Sequence, residues 1–326
     1  IHCGLAPCPA SPHRSRCLSG RAAAAASCHK AATCVLATGR SRRAGQGAFG
    51  NVAAMGPVAA YDGADARAAL YAELQAIDCA LLQAHAEFVD DACLARYLRA
   101  RKGNVGKAAH LLLSTLKWRE SIGLQTLTME EFDVELKSGK LYVKGADSAG
   151  RALLVTRKRA DAFKAGETDH YLRHLAFTLE TACRVMRGGA EAWVWIMDLG
   201  GMTRANSPPI NVSLTTLRVL ADHFPERLHT CFFVDAPTVF GYLWTALSPF
   251  IDPVTKSKVI FIKSAEWRER IGSKRAGSGV QRAEAAANQD AAHVPDGRDF
   301  EQYWDVYETS YDEAAYRELL ASVGWP

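Results

Sequence analysis

The chain has 326 residues, 48% of them hydrophobic, and its 39 Lys and Arg against 35 Asp and Glu give a net charge of +4. That is apolar material for one large domain or two ordinary ones, and the charge is lopsided: residues 1–61 hold seven basic residues and no acid, a local +7, so the remainder is net −3. A mildly acidic body has no nucleic-acid footprint, and no run reaches the roughly 20 apolar residues of a membrane-spanning helix.

The leader, residues 1–61, also holds Cys3, Cys8, Cys17, Cys28 and Cys34, five of the nine cysteines. Its Arg, Ala and Ser content resembles an organelle transit peptide. The competing reading is translated upstream sequence, since Met55 stands just before the first acid, Asp62. On either reading we set 1–61 outside the fold as a disordered segment. Cys79, Cys93, Cys183 and Cys231 show no ligand spacing and are expected to be small buried hydrophobes in a reducing compartment.

Residues 63–89 carry Leu70, Leu74, Ile77, Leu81 and Phe88 at a helical period. Residues 90–101 form a second expected helix, with Leu94, Tyr97 and Leu98 inward. Asn104 is a candidate N-cap for a third helix over 105–122, closed by Gly123. With a short acidic helix near 128–137, residues 62–138 make a small helical module. The pattern then changes. Residues 141–143, the turn 147–150 and residues 151–157 predict a hairpin. A helix over 169–187 follows, then an apolar strand over 192–199, a helix over 212–222 and a strand over 228–234. A helix over 237–247 and a strand over 258–262 complete the unit. Strands alternating with helices imply an α/β fold with a mostly parallel sheet flanked by helices, over 139–265. Residues 266–298 are small and polar and are expected to be a flexible linker. Residues 299–326, with Tyr303, Trp304, Tyr307, Tyr311 and Tyr316, predict a C-terminal helical tail docked on the body.

The segment 236–251 runs without a charge, between Asp235 and Asp252. Its helix is apolar on both faces, Val239, Phe240, Leu243, Trp244 and Leu247 on one and Tyr242, Ala246 and Phe250 on the other. A helix apolar all round is buried all round or meets lipid. Glu226, Arg227 and Lys258 frame it, and an apolar wall with charges at its mouth is a way to hold one lipid molecule. Catalytic motifs are missing: there is no phosphate-binding glycine loop, no Gly-x-Ser-x-Gly elbow and no His/Cys metal spacing.

Five fragments in order carry a resemblance: ARYLRARK at 95–102 with LKWR at 116–119, IMDLG at 196–200, FPER at 224–227, VDAP at 234–237 and PFIDPVTKSK at 249–258. Over roughly 85–265 the chain resembles the CRAL-TRIO lipid-binding family, and within it the yeast-type phosphatidylinositol/phosphatidylcholine transfer proteins. The resemblance implies a CRAL-TRIO fold enclosing an apolar lipid pocket. It places phosphoinositide headgroup contacts on Arg101, Lys102, Glu226, Thr255 and Lys258. Lys258 would neutralise the phosphate, Glu226 would pair with Lys258 or accept from ring hydroxyls, and Arg101 and Lys102 would bridge the helical module to the lipid domain. Such a headgroup needs a cation for its phosphate and mixed donors and acceptors for its ring. Val239, Phe240, Leu243, Trp244, Leu247 and Phe250 would form a gate helix that swings onto the bilayer.

The positions that hold choline lipid in relatives are here Val143, Leu154, Trp193 and Trp195, a bulky apolar wall. Phosphatidylinositol binding is therefore expected to be retained, with a second hydrophobic lipid, such as a sterol or isoprenoid, in place of phosphatidylcholine. Gly103, where relatives carry an aromatic residue, is a further departure. The implied protein is a non-enzymatic, monomeric carrier with no cofactor beyond its bound lipid, cytoplasmic and peripheral on membranes, or organellar if residues 1–54 are a transit peptide. It exchanges lipid between membranes in vesicle trafficking or presents it to a lipid kinase. The alternative function is a lipid-sensing regulatory or scaffold module without net transfer.

Overall fold

The computed structural model describes residues 61–158, 166, 168–277 and 297–326, with backbone alone at 274–277. The expectations for residues 1–60 and for the polar segment 278–296 lie outside the described residues.

The helical module forms as its periodicity requires. Helices α1 (Ala64–Ala84), α2 (Asp91–Ala100) and α3 (Val105–Ser121) pack around Leu70, Leu74, Leu98 and Leu112, all fully buried. Each such side chain contributes about 1.5–3 kcal/mol of burial. Asp90 caps α2 by accepting from the Cys93 amide at 2.6 Å, and Asn104 caps α3 by accepting from the Lys107 amide at 2.9 Å. Between them the chain reverses through Lys102 and Gly103, at φ +51° and +77°. The Gly103 amide returns to the Leu98 carbonyl at 2.9 Å, a left-handed helix closure that glycine makes without strain. That geometry is the physical reason for a glycine here, since a Cβ would also stand 3.2 Å from the Tyr61 ring.

A short helix α4 (Asp133–Ser138) leads into a five-stranded sheet of β1 (Leu141–Ala146), β2 (Ala152–Arg157), β3 (Trp193–Asp198), β4 (Leu228–Val234) and β5 (Val259–Ile262). The strands lie in sequence order, β1 antiparallel to β2 and all other pairs parallel. The crossovers are α5 (Thr168–Val185), α6 (Ile210–His223) and α7 (Thr238–Leu247), with α8 (Pro253–Ser257) just before β5. Right-handed crossovers that always step the same way put their helices on one face of the sheet. The other face then needs a separate cover.

That cover corrects the expected linker. Residues 264–277 form α9 (Ser264–Gly277), which packs Trp267 and Ile271 on the back of the sheet. A 3-10 segment (Gly297–Tyr303) and α10 (Trp304–Glu308) add Phe300, Tyr303, Trp304 and Tyr307 against Leu153, Val194, Ile196, Phe232 and Val234. Polar composition hid this helix because only two of its large side chains are apolar. The back face of the sheet supplies the burial that residues 266–277 lack by themselves. The last helix, α11 (Glu313–Ser322), packs Tyr316 and Leu320 into the core that also holds Tyr142 and Val143.

The helical module docks on this domain through ion pairs. Arg119 makes a two-pronged contact with Glu180 at 3.1 and 3.2 Å, and Arg96 meets Glu191 at 3.2 Å. Arg99 bridges Glu191 and Asp62, and the Trp118 ring stacks on His223 at 4.3 Å. Arg96, Arg99 and Arg119 thus carry the docking ion pairs, and none of those described involves Arg101 or Lys102. Of the four remaining cysteines, Cys93 and Cys231 are buried and Cys79 and Cys183 partly so. Burial pushes the Cys93 thiol up to about 12.

Candidate functional site

A cavity of about 620 Å³ lies between the helix-covered face of the sheet and α5, α6 and α7. This is within the range of about 300–1,000 Å³ that holds one small ligand. Alternation decides which strand residues face it. One transverse row reads Leu141, Thr156, Met197, Phe233, and the next Val143, Leu154, Trp195, Cys231, Val259. The first row, which β5 continues with Phe261, lines the cavity as far as Phe233, whereas the second does so only from Trp195 onward; Trp193 adds a third row.

Of the wall expected at Val143, Leu154, Trp193 and Trp195, the two tryptophans line the cavity. Val143 and Leu154 share their face but are sealed in the core, at 2% and 0% exposed, where α5 packs on β1 and β2. Leu141 and Thr156 take their place one pleat away. Thr156 was legible as the lone hydroxyl in an apolar strand. Its Oγ1 accepts from Trp195 Nε1 at 2.8 Å, which fixes that indole flat in the wall. Trp193 Nε1 is buried without a hydrogen-bond partner.

The helix over the cavity is α7, continued by a 3-10 turn (Ser248–Phe250). Phe240, Leu243, Trp244, Leu247 and Phe250 line the cavity, as does Val254 of α8. Val239 packs on the adjoining core instead. Phe240 and Trp244 meet Phe233 at ring centroid distances of 4.7 and 5.5 Å. Two aromatic side chains here are largely exposed: Tyr242 of α7 at 76%, and Phe250 of the 3-10 turn, at the cavity's rim, at 68%.

The mouth lies at the start of β4 and β5. It gathers Arg101, Glu226, Arg227, Asp252, Thr255 and Lys258. Four of the five expected headgroup residues, Arg101, Glu226, Thr255 and Lys258, line the cavity, and Lys102 is exposed and does not line it. Glu226 is non-glycine at φ +59°, a left-handed conformation that costs about 1–2 kcal/mol. Strain of this kind, retained where a glycine would be relaxed, collects at functional positions. The expected Glu226–Lys258 ion pair is not formed among the described residues. Lys258 Nζ instead donates to the Leu228 carbonyl at 2.8 Å, which leaves it two further donors, since an ammonium carries three.

The cavity runs diagonally across the sheet to an inner end that sequence reasoning missed. There β1 begins and β2 ends, with Lys140 and Lys158, and α5 presents His170, Tyr171 and His174 on one face. Burial, assisted by the neighbouring Lys140 charge, lowers the Lys158 pKa. Burial also pushes His174 down to about 3, with His170 and Lys140 adding to the effect. The i, i+4 pair His170 and His174 was visible in the sequence but had no partner there to give it meaning. Among the described residues no group of His, Cys, Asp and Glu could hold a metal ion, and no helix is long and apolar enough to cross a membrane.

A helical module followed by a mostly parallel sheet, covered on both faces and with a cavity under the helices of one of them, defines an α/β protein built around a cavity. Residues 136–275 match the CRAL/TRIO domain and residues 69–114 its N-terminal domain, and the chain belongs to the CRAL-TRIO family. It is 33% identical over 181 residues to the Saccharomyces cerevisiae phosphatidylinositol transfer protein PDR17, covering 52% of this chain and 51% of that protein. It is 28% identical to the Eremothecium gossypii phosphatidylinositol transfer protein CSR1, covering 54% and 43%. It is 27% identical to the Yarrowia lipolytica SEC14 cytosolic factor, covering 59% and 42%. The chain thus spans about half the length of the curated relatives it matches. The crystal structure of Sfh5 superposes with a TM-score of 0.46 at 16% identity, over 61% of this chain and 80% of that one.

Proposed function

We propose that this protein is a non-enzymatic phosphatidylinositol carrier. It takes one lipid into the cavity, with the headgroup at the mouth and the chains behind α7, and exchanges it at another membrane or presents it to a lipid kinase. The observation that carries this reading is the join of one apolar cavity to one polar mouth, where Arg101, Glu226, Thr255 and Lys258 converge. Lys258 and Arg101 face the phosphodiester, and Glu226 and Thr255 face the inositol hydroxyls. The likeness to PDR17 and CSR1, both named as phosphatidylinositol transfer proteins, supports the same lipid. The aromatic outer face of α7 is the part that meets the bilayer, and α7 is the gate. Trp193 and Trp195 bring a choline headgroup no hydroxyl of their own, and on this reading the second lipid is one other than phosphatidylcholine.

Transfer of labelled phosphatidylinositol between vesicles tests this. Wild-type protein transfers, and Lys258→Ala loses transfer by tenfold or more, as expected when a charge-assisted contact worth about 1.5–3 kcal/mol is removed. Transfer that survives Lys258→Ala and Glu226→Ala together refutes the headgroup assignment. Binding without transfer replaces the carrier with a lipid-sensing module. Abundant phosphatidylcholine copurifying with the protein refutes the reading of the tryptophan wall.

A further inference from the structure

We propose that Trp118, stacked on His223 beside Thr115, is a positioning residue for the mouth: through it the helical module sets the place of Glu226, and with it the preference for an inositol headgroup, without touching the lipid. The inference rests on the phosphatidylinositol reading of the mouth, and it adds the part of the fold that holds one mouth residue in place.

Three observations converge. The first is the contact itself. Trp118 stands beside Arg119 in the LKWR fragment, on the last turn of α3. Its indole lies flat on the His223 ring, with centroids 4.3 Å and planes 9° apart, and meets Phe224 edge-on at 5.8 Å. Offset stacking of this kind fixes two rings in one relative orientation. Next to the pair, Tyr97 donates to Thr115 Oγ1 at 2.8 Å, and Thr115 Oγ1 lies 3.0 Å from the Asp222 carbonyl and 3.2 Å from His223 Nδ1. Burial, against a smaller opposing effect of Asp222, pushes His223 down to about 4, so the stacked ring is uncharged at neutral pH. The last turn of α6 is thereby fastened to α3.

The second is the stiffness of the link from that turn to the mouth. Phe224 and Pro225 are both buried, and Phe224 packs on Trp193 at 5.9 Å. Pro225 fixes its own φ and restricts the residue before it, and the intervening peptide groups are planar. Glu226 follows at φ +59°, the first exposed residue of the turn. On its other side the Arg227 carbonyl accepts from the Trp193 amide at 2.7 Å, and the Arg227 guanidinium donates to the Glu191 carbonyl at 2.8 Å. A left-handed residue with a Cβ persists only where its surroundings over-determine it. Here they do so through the stacked anchor before it and the strand after it.

The third is location. Trp118, Thr115 and His223 do not line the cavity, whereas Phe224, Pro225 and Glu226 do. The ion pairs that dock the module end on α5 and on Glu191, ahead of β3. The stacked pair ends instead on the last residue of α6, three residues before Glu226. The module also supplies Arg101 to the mouth, from the end of α2. The anchor therefore sets the register between a cation carried by the module and an acid carried by the sheet domain. Without it, Glu226 relaxes out of the left-handed region and its carboxylate leaves the ring hydroxyls.

The test uses the full chain stripped of lipid, with acyl-labelled fluorescent phosphatidylinositol and a diacylglycerol carrying the same chains as probes. The ratio of their dissociation constants is the headgroup preference. Trp118→Leu is expected to cut that preference by about threefold or more while diacylglycerol still binds, which shows that the cavity is intact. Trp118→Phe, which can still stack, keeps it. Glu226→Ala cuts the preference by itself. In the Glu226→Ala background Trp118→Leu then cuts it no further, because no carboxylate is left to place, whereas a residue that acts independently of Glu226 gives the same factor in both backgrounds. If Trp118→Leu binds neither probe, His223→Leu is read in its place, in both backgrounds. An unchanged preference in the Leu variant, or an equal loss in both backgrounds, overturns the positioning role alone. Wild-type protein that shows no preference for phosphatidylinositol overturns the headgroup assignment of the mouth, and the positioning role with it.

Discussion

The backbone at Glu226 separates stability from binding, and two substitutions at that position expose the difference. Glu226 sits at φ +59° at the cavity mouth, exposed to solvent. A left-handed residue with a Cβ costs about 1–2 kcal/mol, and a glycine removes that cost. Glycine also loses more freedom on folding, by about 0.5–1 kcal/mol. Glu226→Gly is then more stable than Glu226→Ala by about 0.5–1 kcal/mol, since both variants lack the carboxylate and differ only in the Cβ. For a domain of this size that is a rise in Tm of about 1–4 °C. Both variants lose phosphatidylinositol, because the ring hydroxyls have lost their acceptor. Differential scanning calorimetry must use lipid-free protein, since bound lipid raises Tm by its own affinity. The vesicle transfer assay supplies the other reading. Glu226→Gly melting at or below Glu226→Ala refutes the strain argument. Full transfer by both variants refutes the role of the carboxylate.

Three other outcomes follow from the geometry. Thr156→Val removes the acceptor of Trp195 Nε1 and leaves a second indole N–H unsatisfied in the cavity wall, so urea unfolding should show a loss of about 1–3 kcal/mol. Glu180→Ala strips the two-pronged partner from Arg119, whose side chain is 12% exposed. The expected loss is about 1–3 kcal/mol, moderated by the Phe88 ring 3.9 Å from the guanidinium, and an unchanged urea midpoint refutes the docking role of the pair. His174 is held to about 3 against an ordinary 6.5 by burial, His170 and Lys140. The unfolded chain therefore takes up this proton first: stability is complete above pH 6.5 and falls as pH drops toward 3, by up to about 1.4 kcal/mol per pH unit. Urea titrations of wild type and His174→Gln between pH 7 and pH 5 should show a shallower slope in the variant, and parallel slopes refute the assignment.

Much of this was legible in the chain because local signals and burial agreed. β4 was predicted at 228–234 and is found there, since its apolar run is flanked by the Pro225 turn and by Asp235. The cap Asn104 and the turn 147–150 follow from single residue types with one conformational use. Arg101, Glu226, Thr255 and Lys258 could be singled out because each sits in a fragment that carries the family resemblance, and all four line the cavity. The cavity wall was not legible, because alternation identifies a face of a sheet but not which part of that face a helix will cover. Val143 and Leu154 share the face with Trp195, and α5 alone decides that they are core. The inner end of the cavity was illegible for a related reason. Lys140, Lys158 and His174 stand in three elements, and each taken singly resembles an ordinary strand-end or helix-face polar residue. Helix α9 was missed because its reason for forming lies elsewhere, in a back face that one-handed crossovers leave uncovered.

The way α7 is held bears directly on how a closed cavity could empty. Among the described residues no ion pair or side-chain hydrogen bond ties α7 to the rest of the fold. Its side-chain hydrogen bond, from Thr245 Oγ1 to the Gly241 carbonyl at 2.9 Å, is internal to the helix. Contacts to the body are apolar, chiefly Phe240 and Trp244 on Phe233 and Phe261. Elsewhere the same protein secures its joints with Arg119–Glu180, Arg99–Glu191 and Arg173–Glu131. An ion pair broken at a membrane surface leaves two charges to be resolvated in a poor solvent. An apolar contact broken there is replaced by acyl chain at little cost, because the driving force of burial is non-directional and scales with area. On the carrier reading, the lack of polar anchors on α7 lets the bilayer, and not water, open the cavity. Water offers Phe240, Leu243 and Trp244 nothing in exchange, so the lipid stays enclosed between membranes. An engineered ion pair from α7 to α6 should then slow exchange at vesicles while leaving the affinity for lipid, measured after equilibration, unchanged.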